Sequence, residues 1–100
     1  MSKSPEQEGR EAMADISRAA RADELLKNPL YLEAITAMNA AMFTAFQDTK
    51  LEDKEIRHEL WQRMQLMKQF QGKFESIVKQ GNKAKQTLSL LAQAKRAVGF

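Results

Sequence analysis

Apolar residues in the stretch Asp53–Gln80 recur in steps of three, four and seven. Ile56, Leu60, Met64, Met67, Phe74 and Val78 fall within about 40° of one line at 100° per residue. That repeat predicts a helix rather than a strand. Phe70 and Ile77 widen the stripe on one side, while Gln71 interrupts it with an amide that needs partners if buried. Trp61 lies about 100° from the stripe's centre, on a flank where it covers neighbouring stems or anchors a partner. Asp53 is the expected N-cap, with Glu55 in the first turn. Gly72 is a soft spot, and Gly81-Asn82 a candidate stop, since both residues tolerate the left-handed cap.

Upstream, Ser4-Pro5-Glu6-Gln7 offers a cap, a proline at the first helical position and a capping-box partner. The helix running on to Lys27 has a thin apolar face, for which Met13, Ile16 and Ala20 are the expected packing residues. Such a segment suits an arm that orders on binding. Asn28-Pro29 ends it and starts the next helix, expected over Pro29–Gln47. That second helix is apolar over a wide arc. Tyr31, Leu32, Ile35, Met42 and Phe46 occupy one flank, and Ala34, Ala37, Ala41 and Ala45 the other. A helix so poor in charge calls for more than one partner. The large-residue flank suits the Asp53–Gln80 helix, and the alanine stripe permits close approach of a further helix.

Asp48 to Glu52 is short enough to turn between antiparallel helices, with Thr49 and Glu52 as a competing capping box one turn earlier. Beyond Gly81, Ala84, Leu88, Leu91, Ala92, Lys95 and Val98 share a face, and Val98-Gly99-Phe100 ends it apolar. Periodicity leaves open whether this is a fourth helix or a continuation. The expected fold is therefore all-α. It comprises an antiparallel helical hairpin with flanking N- and C-terminal helices, oligomeric through the alanine stripe. One domain is expected, parsed as a charged arm (1–27), a hairpin core (28–80) and a basic C-terminal helix (81–100).

Charge changes this picture at one end. The net charge of +3 conceals a last quarter, residues 76–100, that carries Lys79, Lys83, Lys85, Lys95 and Arg96 and no acids. These bases suit phosphates or an acidic protein surface, or simply complement a helix C-terminus. Phe100 is the one aromatic residue there, so stacking on single strands has no support. The absence of cysteine removes disulfides and thiolate zinc sites and fits a reducing cytoplasm. No secretory leader and no membrane span are expected.

Chemistry is sparse. Glu55-x-x-His58 matches half of a bundle di-metal site, but His58 is the sole histidine and falls about 160° from the core stripe. Nucleophilic triads, thiol chemistry and glycine-rich phosphate loops all lack their residues. The expectation is a non-enzyme with no cofactor and no metal.

Leu25-Leu26-x-Asn28-Pro29, Asp53-x-x-x-Arg57 with Leu60-Trp61, and Gly81 followed by Lys and Ala carry a resemblance. Residues 25–88 are similar to short helical proteins of tailed bacteriophages encoded near head-assembly and DNA-packaging genes. The resemblance implies a phage-encoded accessory protein of virion morphogenesis or packaging, located in the host cytoplasm or the virion. The N-terminal arm and the basic end lie outside it. The expected partners are a second copy or another phage or host protein, with Ala34, Ala37, Ala41, Ala45, Trp61 and Leu66 as contact residues. One alternative is a small nucleic-acid-binding protein using Lys79, Lys83, Lys85, Lys95 and Arg96. Another is an inhibitor of a host bacterial enzyme.

Overall fold

The computed structural model describes residues 3–97 and is all-helical over them, with three helices. They are α1 (Pro5–Lys27), α2 (Pro29–Gln47) and α3 (Lys54–Ala97). The chain divides into two compact units, Met1–Glu24 with Phe74–Phe100, and Leu25–Lys73. The expected apolar end at Val98–Gly99–Phe100 lies outside the described residues.

Local capping sets the helix starts. The Ser4 hydroxyl accepts from the Gln7 N–H at 3.1 Å, opening α1. The Asn28 carboxamide oxygen accepts from the N–H groups of Leu30 at 2.9 Å and Tyr31 at 3.2 Å, and Pro29 takes the first helical position. Both satisfy donors that a helix N-terminus leaves without intrahelical partners. α3 begins at Lys54, not a turn earlier. Thr49, which the competing capping box would use, is already engaged: its hydroxyl donates to the Phe46 carbonyl at 2.6 Å. Asp53 spends its carboxylate on the preceding turn, accepting from the Lys50 N–H at 3.0 Å.

In the first unit, α1 and the Phe74–Ala97 portion of α3 run in opposite senses. Ala19 meets Gly81, while Ser4 and Pro5 lie beside Leu91 and Lys95. The buried residues are small: Ala12, Ala19 and Ala22 on α1, Gly81 and Ala84 on α3. This corrects the expected packing set for α1. Met13 is 65% exposed, Ala20 is exposed and Ile16 half-buried, because the row that faces α3 is the alanine row one position away.

Gly81 is likewise not a stop. It sits inside α3, and a Cβ added there would collide with the Ala19 Cβ and come within 3.3 Å of the Asp15 carbonyl oxygen. Its missing side chain lets two helix backbones approach. No separate C-terminal helix therefore starts at residue 81. The row Leu60, Met67, Phe74, Gly81, Leu88 keeps a seven-residue spacing straight through it. The parse into 1–27, 28–80 and 81–100 gives way to a different grouping, in which the arm packs with the basic end.

That pairing has an electrostatic logic. α1 brings Glu8, Glu11 and Asp15 to a hollow shared with Lys83 on α3. The Lys3 ammonium meets the Glu11 carboxylate at 2.6 Å, and that hydrogen bond and charge raise the Lys3 pKa above its ordinary 10.5.

In the second unit, larger side chains make the contact. Ile35 is its buried residue, flanked by half-buried Tyr31, Met42 and Phe46 on α2 and by Leu60, Met64, Met67 and Gln71 on α3. Half-burial leaves the Gln71 amide access to water. At the turn, Arg57 clasps the two helices. Its guanidinium lies 4.3 Å over the Phe46 ring and donates to the Thr49 hydroxyl oxygen at 2.8 Å.

Candidate docking surface

The second unit leaves much of its apolar side chain area in water. Among the described residues, every exposed large hydrophobic except Met13 and Leu90 lies between Leu30 and Phe70. Lone exposed apolar residues are ordinary, so a contiguous set is the feature to look for. The contiguous set here is an open groove of about 400 Å³ lined by Met38, Met42, Arg63, Leu66, Met67 and Phe70. Leu66 is 63% exposed, Met38 51% and Phe70 48%.

Helix periodicity explains why these side chains meet. Leu66 and Phe70 stand four apart on one flank of α3, and Met38 and Met42 four apart on the matching flank of α2. Methionine suits such a surface, since its unbranched, polarizable chain adapts to whatever packs on it. Arg63, the one charged residue in the lining, is held by Glu59 at 2.6 Å, and both side chains stay mostly exposed.

The expected contact residues divide. Leu66 lines the groove. Ala34, Ala37, Ala41 and Ala45 are all exposed. Periodicity sets them along the Met38 side of α2, within about 100° of that residue. They form a ridge beside the groove. Trp61 is not part of it. Its ring stacks on His58 with centroids 6.0 Å apart and planes 18° from parallel, and it points about 140° away from Leu66 around α3. The structure therefore brings Leu66 and the alanine stripe onto one face and places Trp61 on another.

The basic residues do not converge. Lys79, Lys83, Lys85, Lys95 and Arg96 are all exposed, but at 100° per residue they fan over most of the α3 circumference. Lys83 lines the hollow with Glu8, Glu11 and Asp15, and Lys95 a second one with Ser4, Pro5 and Glu6. Among the described residues no three His, Asp or Glu side chains gather into a metal-binding group, and no helix is long and apolar enough to cross a membrane.

Reasoning from sequence missed the groove as a feature, because Met67, Phe70 and Met42 all fall in the stripes expected to pack against each other. It also missed the Arg57 clasp, whose signal was the run Phe46, Thr49, Arg57 across a short turn. Set against known protein families, curated proteins and solved structures, the chain matches none.

Proposed function

We propose that this chain is a non-enzymatic docking protein whose Leu25–Lys73 unit works as a helical hairpin, receiving another helical surface on its Met38–Leu66–Phe70 face. The exposed groove carries this reading. Its side chains are large, apolar and adjacent, and water contact with them costs about 25 cal/mol per Å² relative to burial. A helix laid into the groove recovers that free energy, which is how amphipathic helices are recognised. The resemblance of residues 25–88 to short phage proteins supplies the setting, an accessory role in virion morphogenesis or packaging. It rests on helix caps and core positions, from Leu25 and Asn28 to Trp61 and Gly81.

The nucleic-acid reading is the weaker one, because the five C-terminal bases fan out and two of them lie beside α1 acids. A photo-crosslinking amino acid placed at Leu66 in the expressing host tests the docking. It should give a discrete adduct of higher mass, while the same label at Lys68, about 160° round α3, gives none. A Leu66 label that yields only unmodified chain sinks the proposal. Mass spectrometry of purified virions tests the setting separately.

A further inference from the structure

Three of the chain's six methionines, Met38, Met42 and Met67, line the one open groove of the second unit. They supply half of its lining, two from α2 and one from α3. Met38 is 51% exposed, and Met42 and Met67 are half-buried, so the cluster lies at the surface rather than in a sealed core. The other methionines among the described residues are Met13, exposed on α1, and Met64, half-buried on α3, and neither lines the groove.

A thioether is apolar and adaptable, but its sulfur keeps a lone pair open to two-electron oxidants. Hydrogen peroxide transfers one oxygen atom to that sulfur. The O–O bond breaks, an S–O bond forms, and water leaves. The sulfoxide so made is polar, and covering a polar group with an apolar partner is unfavourable. One such change on a lone surface methionine alters little. Three in one wall convert the surface that an apolar partner would have to cover. The change is also reversible, since methionine sulfoxide reductases return the thioether at the expense of a dithiol.

We propose that Met38, Met42 and Met67 form an oxidation-sensitive site. Sulfoxidation by hydrogen peroxide makes the groove polar and shuts it to apolar partners, and reduction reopens it. This rests on the docking reading and adds its regulation. Nile red, a neutral apolar dye, serves as the groove's ligand on the full chain. It should bind the reduced protein, and Leu66→Glu should remove that binding. After peroxide, peptide mass spectrometry should find each of the three methionines heavier by one oxygen. Dye affinity should then fall about tenfold or more, with helicity retained by circular dichroism. Sulfoxide reductases of both epimer specificities with dithiothreitol should restore it.

The triple variant Met38→Leu, Met42→Leu, Met67→Leu keeps apolar volume. It should bind the dye and hold it through the same treatment, although Met13 and Met64 remain open to oxidation. Met13→Leu should stay as sensitive as the wild type. Unchanged dye affinity once the three methionines are oxidised overturns the inference while docking stands. So does a triple variant as sensitive as the wild type, or a loss of helicity on oxidation, which would trace the effect to the fold. A reduced chain that takes up no dye also overturns it, and the Leu66 adduct then decides docking separately.

Discussion

The two compact units are built on opposite principles. In the first, α1 meets α3 through Ala12, Ala19, Ala22, Gly81 and Ala84, so backbones approach and little side-chain volume separates them. In the second, α2 meets α3 through Ile35 and half-buried Tyr31, Met42, Phe46, Leu60, Met64 and Met67. Large side chains splay along that contact, and part of each remains available at the surface. The difference teaches where to look for function. A close contact between small residues leaves little apolar area over, whereas the contact between large residues leaves Leu66, Phe70 and Met38 about half exposed or more. It also predicts opposite vulnerabilities: the first unit should reject added atoms, and the second should suffer from removed ones.

Removing atoms is the larger test. Ile35→Ala deletes the buried side chain of the second unit and should cost about 2–4 kcal/mol, as buried isoleucines do. Urea unfolding followed by helicity measures the loss, and hydrogen exchange should place it in Leu25–Lys73. Adding atoms comes next. Gly81→Ala puts a methyl into the Ala19 contact and should cost about 1–3 kcal/mol. The same methyl at Gly72, where nothing lies within 4 Å, should instead stabilise α3 by up to about 1 kcal/mol. Adding Ala19→Gly to Gly81→Ala should recover part of the loss. Were Gly81→Ala as harmless as Gly72→Ala, the close approach in the first unit would be refuted.

Asn28→Ala, which removes the cap of α2, should cost about 1 kcal/mol. It sharpens the comparison by showing how much of the second unit's stability lies in its helix start. The smallest effect is that of Lys3. Its pKa is raised by Glu11, so the pairing favours the folded state below the ordinary lysine value of 10.5 and fades as pH climbs through the raised one. Because the pair is exposed, Lys3→Ala should barely move a neutral-pH melt. Whatever difference exists should vanish in strongly alkaline buffer.

The parts legible in the sequence were those whose physics is local. Ser4 and Asn28 cap backbone donors two or three residues further on, and Pro29–Gln47 was readable from its punctuation alone. Gly81 was illegible for the converse reason. A glycine followed by asparagine looks like a helix end, and what makes it a contact is Ala19, far earlier in the chain. The choice of Met13, Ile16 and Ala20 for α1 failed similarly. It took one thin apolar stripe, while the approaching helix packs on the alanine row one position away. On the candidate face, the poverty of charge in α2 and its alanine stripe were readable from the sequence, and Leu66, expected as a contact residue, lines the groove. The groove itself was hidden because Met42, Met67 and Phe70 count as core by periodicity, and a core stripe wider than its partner is visible only in three dimensions.

The Arg57 clasp bears on whether α2 can leave the α3 of its own chain. A planar guanidinium that lies over Phe46 while donating to Thr49 fastens the first turn of α3 to the last turn of α2, and a lysine could not do both. Trading α2 between two chains would mean opening that fastening in each, and domain exchange starts from hinges that open readily. Exchange of α2 between chains is therefore disfavoured for as long as that fastening holds.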